Sequence, residues 1–119
     1  MTPVKAPDDL AAYVNCEEAI RRFRGNTPVF KRILTSYLAK NPYADFCDAL
    51  AAGDFAMAEH HAHSLKGAAA NMSLNALQDT CARVEAALKK GELTDELESE
   101  LAAAIEKTNL HITWVLENL

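Results

Sequence analysis

The chain has 119 residues, of which half are hydrophobic and 7% aromatic, and its formal net charge is −5. This composition is typical of one domain of helices packed on helices. The acidic balance argues against a nucleic-acid or anionic-membrane surface, because both would need a basic stripe. No apolar run approaches the roughly 18 residues of a membrane helix, and the N-terminus lacks the apolar core of a signal peptide. The three cysteines suit a reduced compartment, so we expect a cytoplasmic protein.

The N-terminal part of the chain is predicted to hold a short helix after an irregular segment. Residues 1–14 contain two prolines and are expected to be partly ordered, with at most one helical turn. Asn15 has capping-box spacing to Glu18, so a helix should begin there. The pair Gly25-Asn26 should end it.

The next apolar stripe is interrupted by a proline. Thr27 and Pro28 are predicted to be the N-cap and the first residue of a second helix. Because Asn41-Pro42 interrupts the pattern, we predict one long bent helix, or two helices in line, that end at Gly53. The apolar positions are Phe30, Ile33, Leu34, Tyr37 and Leu38, and then Phe46, Cys47 and Leu50.

Three further helices are predicted from caps and apolar repeats. Asp54 can cap the third helix, Ser73 the fourth and Thr94 the fifth. The run Lys89-Lys90-Gly91 is typical of a helix C-terminus, where lysines meet the negative end of the helix dipole. The apolar positions are Phe55, Ala58, Ala62, Leu65, Ala69 and Met72 in the third helix, Leu74, Leu77, Cys81, Val84 and Leu88 in the fourth, and Leu97, Leu101, Ile105, Thr108, Ile112, Val115 and Leu119 in the fifth.

These elements predict an all-α fold, an antiparallel four-helix bundle with a short N-terminal capping helix, in residues 15–119. Leu110 and Trp114 lie off the stripe of the last helix. We expect them to pack under the short N-terminal helix, and a partner surface is the alternative. Buried positions are also expected for the widely spaced cysteines, Cys16, Cys47 and Cys81, in a reduced compartment.

Three histidines, His60, His61 and His63, lie close together on the third helix. At about 100° per residue, His63 falls about 130° from the apolar seam, on the outward side, and His61 about 70° off on the other flank. His60 lies opposite the seam and should be exposed. Zinc needs three or four ligands that converge on one point. His60 and His63, three residues apart, could at best supply two, and Glu59 would have to reach round the helix to supply a third. A metal site therefore remains an alternative and is not our prediction.

The face that carries His63 has few large side chains. It also holds Ala56, Glu59, Gly67 and Ala70. A glycine within a helix costs roughly 1 kcal/mol relative to alanine, so something should compensate for Gly67. Lys66 lies about 60° round from His63, within reach of a group bound to the imidazole. Two interpretations stay open here: another body approaches this face closely, or a neighbouring helix packs against Gly67 and Lys66 is solvated surface.

The run HSLKGAAANM, which begins at His63, closely resembles the signature of histidine-containing phosphotransfer (HPt) domains, the phosphorelay modules of two-component signalling. The resemblance covers most of the chain. EEAIRRFRGN before a proline-led helix is similar to the start of the family, Gly53-Asp54 to its turn before the histidine helix, and LQDTCARVEAALKKGE to its fourth helix. One departure is Ser73, where the family commonly has glycine.

The resemblance implies a phosphocarrier without kinase activity. His63 would accept a phosphoryl group from an aspartyl phosphate of a receiver domain and pass it to another receiver domain. Lys66 would neutralise the phosphoryl group, Gly67 would leave room for it, and Glu85 stands where the family places a polar group that hydrogen-bonds the imidazole. The chain needs no cofactor of its own in this scheme, since the receiver supplies Mg²⁺. We expect a monomer whose partners are response-regulator or hybrid-kinase receiver domains.

Elementary chemistry is compatible with this role. A nucleophilic imidazole must be neutral, and with a reference pKa near 6.5 roughly three-quarters of a free histidine is neutral at pH 7. Glu85 could hold one ring nitrogen protonated and leave the other free to attack. Ala56, Glu59 and Ala70 would form the face on which the receiver docks. The sequence predicts no role for His111.

Two other classes of protein share features with this sequence. A dimerising sensor kinase also carries its histidine on a bundle helix, but there an acidic residue follows directly and a proline soon after. Here Ser64, Leu65 and Lys66 follow, and the chain has no room for an ATP-binding domain. A bundle that only binds partners, in which His63 is incidental, stays open as the second alternative.

Overall fold

The computed structural model describes residues 5–119, and every regular element among them is a helix. This confirms the all-α class. The helices are α1 (Leu10–Tyr13), α2 (Cys16–Arg22), α3 (Thr27–Ala39), α4 (Tyr43–Ala51), α5 (Phe55–Asn71), α6 (Asn75–Lys90) and α7 (Asp95–Asn118). The single turn α1 is the one expected before residue 15, while the expectation for residues 1–4 lies outside the described residues.

Asparagine side chains begin the second and third helices. The Oδ1 atom of Asn15 accepts a hydrogen bond from the Glu18 backbone N–H at 3.1 Å, as predicted. The prediction for α3 is wrong by one residue: Asn26 is the N-cap, and its Oδ1 accepts from the Val29 N–H at 3.2 Å. Thr27 is therefore already helical. The longer amide side chain of Asn26 satisfies the free N–H that Thr27 was expected to cap.

The apolar stripe around Pro42 belongs to two helices. The backbone at Lys40 is extended, with φ −157° and ψ 124°, so α3 stops before the proline. The Asn41 Oδ1 accepts from the Tyr43 N–H at 3.0 Å, which starts α4. Of the two forms that the sequence allowed, the one with two successive helices is confirmed.

Helix α5 is capped by Asp54, whose Oδ1 accepts from the Met57 N–H at 3.1 Å, as predicted. Its buried side is the expected apolar repeat apart from the first position. Phe55 is 60% exposed, so its assignment to the core is wrong. As the first residue of α5 it lines a surface groove beside Leu93. The buried positions are Ala58, Ala62, Leu65, Ala69 and Met72.

The turn from α5 to α6 differs from the prediction at Ser73. This residue has φ 55° and is fully buried, and the N-cap of α6 is Leu74, which makes no side-chain cap. The Ser73 hydroxyl donates to Glu18 Oε1 at 2.8 Å and accepts from Arg22 Nη1 at 2.7 Å. The hydroxyl thus joins this turn to α2, and the expectation that it caps α6 is wrong.

The C-terminus of α6 and the N-terminus of α7 lie where they were predicted. Gly91 ends α6 in the left-handed conformation at φ 68°, where glycine has no Cβ to clash. The Thr94 Oγ1 accepts from the Leu97 N–H at 3.1 Å and starts α7. The off-stripe prediction fails for Leu110, which is 66% exposed. Trp114 is partly buried against the core, and its packing under the short N-terminal helix stays a prediction. Leu119 is also exposed, at 44%, because α7 ends beside it.

The helices pack against one another as a helical bundle. Contacts join α4 to α5, α5 to α6, α6 to α7 and α7 to α3, and α1 lies against α6 and α7. His111, which is buried, fixes α1: its Nε2 lies 2.7 Å from Asp9 Oδ1, and its ring stacks on Tyr13. Lys107 Nζ lies 2.9 Å from the other oxygen of Asp9. The contacts of His111 are therefore those of a packing residue.

The described residues bear on two expectations from composition, which concern membrane crossing and the burial of the cysteines. Within residues 5–119, no helix is both long enough and apolar enough to cross a membrane. Of the cysteines, Cys81 is buried and Cys16 partly buried, but Cys47 is exposed, so the prediction of a buried side chain is wrong there. Cys47 lies on the outer side of α4, beside Tyr43 and Leu50 in a surface groove.

Candidate functional site

Helix α5 presents His63 to solvent. Its side chain is 65% exposed. The next residue before it, Ala62, and Leu65 just after it are fully buried. Because these neighbours anchor α5 in the core on both sides, the imidazole stands on a rigid element and points outward, as its helical phase predicts.

The other two histidines of the cluster do not converge with His63 on a common point. His60 is exposed and His61 partly buried, and their rings lie 5.4 Å apart at 63° to each other. Within the part of the chain that the structure describes, no three His, Cys, Asp or Glu side chains are grouped so that they could hold a metal ion. The geometry gives no support to the metal-site alternative.

A buried carboxylate lies beneath His63. Glu85, on α6, has a side chain only 7% exposed, and its Oε1 lies 2.9 Å from His63 Nδ1. Its second oxygen, Oε2, lies 2.7 Å from the ammonium of Lys66. One carboxylate therefore connects the histidine and the lysine that the sequence singled out. Contact between α5 and α6 makes this possible, since the three residues come from two packed helices.

The charge of Glu85 determines which ring nitrogen of His63 carries the proton. Hydrogen bonding by Lys66, and then by His63, lowers the pKa of Glu85 from 4.5 to about 2, although burial opposes the change. At neutral pH the group is a carboxylate, which can only accept hydrogen bonds. Nδ1 of His63 must then donate. In the neutral ring this leaves a lone pair on Nε2.

The acid titration of the protein should show this coupling. The pKa of Glu85 is lower in the folded chain, so its ion pairs contribute full stability above pH 4.5 and lose that contribution as the pH falls through about 2. We expect the ¹³C signal of the Glu85 carboxyl to titrate near pH 2. The stability difference between wild type and Glu85→Gln should shrink over the same range. Titration of the carboxyl signal near pH 4.5 would contradict the ion pairs.

The ammonium of Lys66 forms an ion pair with Glu85. Its side chain is 32% exposed and its ammonium is held on Glu85, so the interpretation as a solvated lysine is wrong. A second lysine was missed by the sequence analysis. Lys89 Nζ lies 3.4 Å from Glu85 Oε1, the oxygen that also faces His63. The spacing of four residues from Glu85 was the available signal, but Lys89 was assigned only to the helix end.

A shallow cleft surrounds the imidazole. Two of the three predicted docking residues line it: Ala56 and Glu59 lie there with His60, His63, Glu85 and Lys89. The third, Ala70, is partly buried farther along α5 and does not line it. The cleft is open to solvent, so a partner can reach the ring from outside the bundle.

Gly67 lies one turn beyond His63 and is exposed. Among the described residues, nothing outside the surrounding backbone of α5 lies within 4 Å of the position that a Cβ would occupy. The alternative in which a neighbouring helix needs this glycine is therefore wrong. Because glycine destabilises a helix, its presence here is compatible with approach by another molecule.

The comparisons with known proteins add the family. The family model of the Hpt domain matches residues 39–113, which is more than half of the chain and includes the whole of α4, α5 and α6. Comparisons with curated proteins and with solved structures gave no match. The match spans both the exposed histidine and the buried glutamate that orients it. With its helical fold and this match, the chain belongs to the Hpt domain family.

Proposed function

We propose that this protein is a phosphorelay intermediate that accepts a phosphoryl group on Nε2 of His63 from a receiver-domain aspartate and passes it to another receiver domain. The observation that carries the proposal is the exposed imidazole with Nδ1 held 2.9 Å from the carboxylate of Glu85. This arrangement directs the free lone pair outward, toward a partner. An incidental surface histidine would need no buried acceptor.

The transfer step needs no general base, because no proton has to be removed from the attacking nitrogen. The lone pair of Nε2 attacks phosphorus, a P–N bond forms, and the P–O bond to the donor aspartate breaks, so that its electron pair returns to the aspartate as a carboxylate. The proton on Nδ1 stays in place. The phosphorylated ring is then a cation, and Glu85 stabilises it through the Nδ1–H bond. Attack by the aspartate of the next receiver reverses these steps and restores the neutral ring.

The remaining residues act on the phosphoryl group and on the partner. Lys66 and His63 contact the two oxygens of the same Glu85 carboxylate, so in this proposal the ammonium turns from Glu85 to the phosphoryl oxygens and neutralises them. Ala56, Glu59 and Ala70 form the docking face in this proposal, and Gly67 leaves room for the partner. Mg²⁺ belongs to the receiver domain. The protein would act in the cytoplasm, as a monomer and without kinase activity of its own.

The test is a relay reconstituted from purified parts. A receiver domain carrying labelled aspartyl phosphate is mixed with this protein, and a second, unlabelled receiver is added afterwards. We expect label to move onto the protein in a bond that acid cleaves and alkali does not, and then to move onto the second receiver. Absence of label on the protein, with intact receivers across a panel, would favour the alternative in which the bundle only binds partners.

Replacing Gly67 with alanine should change stability and transfer in opposite directions. The added methyl group has open space in this chain, and alanine is the better helix former. We expect the free energy of unfolding, measured in urea, to rise by about 0.5–1 kcal/mol. Transfer from a receiver should slow, because the methyl group occupies the face that the partner approaches. Ala70→Gly, on the same face, is the matched control and should lower stability. Faster or unchanged transfer in Gly67→Ala would show that no partner uses this space.

A further inference from the structure

The carboxylate of Glu85 has three partners. Its Oε2 lies 2.7 Å from Lys66, and its Oε1 is shared by His63 Nδ1 at 2.9 Å and Lys89 Nζ at 3.4 Å. Two ammonium groups and one imidazole therefore surround a single buried negative charge. The two lysines approach it from different helices, Lys66 on α5 and Lys89 on α6.

A carboxylate beside a nucleophilic imidazole has two opposing effects. It holds the proton on Nδ1, which leaves Nε2 free. It also favours the imidazolium form, in which Nε2 is protonated and has no lone pair to attack with. A site that uses Glu85 to orient His63 therefore needs positive charge near the carboxylate to offset the second effect.

Lys66 alone does not meet this need throughout the reaction. In the proposed function its ammonium turns toward the phosphoryl group, and it then leaves Oε2. Lys89 is placed on the other oxygen, the one that bonds to His63. Its side chain is 59% exposed and lines the cleft around the imidazole. It can stay on Glu85 whether or not Lys66 does.

We propose that Lys89 is a positioning residue that balances the charge of Glu85, so that His63 keeps its proton on Nδ1 and its lone pair on Nε2. The inference rests on the proposed function for its use in transfer, but the charge balance itself can be measured without any partner. Three other charged or titratable groups face His63, and none of them is substituted in the variants compared. They are Glu59 and His60 on α5, which line the cleft, and Lys66.

The test compares the titration of His63 in wild type and Lys89→Gln by NMR. Removal of the ammonium should raise the midpoint of the His63 titration by about 0.5 pH, the size expected for one charge several Å away at a solvated site. Lys90→Gln, at the next and exposed position of α6, removes the same charge and should leave the midpoint nearly unchanged. Lys89→Arg should restore the wild-type value, because arginine keeps the charge.

The pH profile of phosphoryl transfer separates this role from others. Below the midpoint, Lys89→Gln should transfer about threefold more slowly, and its rate should approach that of wild type as the pH rises. Equal titration midpoints in wild type and Lys89→Gln, or equal shifts in the two glutamine variants, would overturn the proposal. So would an equal loss of rate at every pH, since that would place Lys89 on the phosphoryl group or the partner. Failure of the proposed function would appear differently, as absence of label in the wild type itself.

Discussion

Replacing His63 with glutamine will abolish labelling of the protein by a phosphorylated receiver domain. Glutamine keeps a polar side chain of similar length, but its amide nitrogen has no lone pair available for attack on phosphorus. The side chain at this position is 65% exposed, so the substitution removes little packing. We expect the urea midpoint to stay within the error of wild type, while label from the receiver falls to background.

The neighbouring histidines supply the controls for this experiment. His60→Gln and His61→Gln change the same cluster, and neither side chain has Glu85 as its partner; the carboxylate faces His63. Both variants should be labelled to the same final extent as wild type. Persistent labelling of His63→Gln would place the phosphoryl group on another residue and contradict the assignment of His63 as the phosphoacceptor. Loss of label in His60→Gln with His63 intact would do the same.

The second large effect on phosphoryl transfer is expected at Glu85. Two substitutions separate the role of its hydrogen-bond acceptor from the role of its charge. Glu85→Ala removes the acceptor for Nδ1–H, so the ring can turn and can carry its proton on either nitrogen. We expect transfer to slow about tenfold to a hundredfold, the range seen when the hydrogen-bond partners that orient metal-bound histidines are removed. Glu85→Gln keeps a carbonyl acceptor for Nδ1–H, so its transfer rate should fall much less than that of Glu85→Ala.

The comparison between these variants is made on transfer rates and on the tautomer of His63. The ¹⁵N spectrum of the neutral ring should show the proton on Nδ1 in wild type and in Glu85→Gln, and a mixture of tautomers in Glu85→Ala. Circular dichroism must show the same helix content in all three, since the side chain is 7% exposed. Equal rates in Glu85→Ala and wild type would mean that orientation by the carboxylate contributes nothing to transfer.

Much of the fold follows from short-range patterns in the sequence. Asn15, Asp54 and Thr94 each cap a helix by accepting from the backbone N–H three residues on, and that spacing is visible in the sequence. The exposure of His63 is equally local, because the buried residues of α5 set its phase. The helices and the outward imidazole were therefore predictable before any contact between helices was known.

The errors lie where distant parts of the chain meet or where an element ends. Ser73 was expected to cap a helix, but its hydroxyl bonds to Glu18 and Arg22, more than fifty positions away along the chain. Lys89 was missed as a partner of the site because its significance depends on Glu85 being buried under α5. An apolar repeat shows which residues share a helix face, but it does not show whether another helix covers each position. Phe55 and Leu110 were expected to be covered and are exposed.

The most direct measurement is the ¹⁵N and ³¹P NMR spectrum of histidine-labelled protein after loading from a phosphorylated receiver. We expect one phosphohistidine, at His63, with phosphorus bonded to Nε2 and the proton retained on Nδ1 against Glu85. His60, His61 and His111 should keep their unphosphorylated signals. Phosphorus on Nδ1 of His63, or on any other residue, would contradict the assignment of Nε2 as the phosphoryl acceptor.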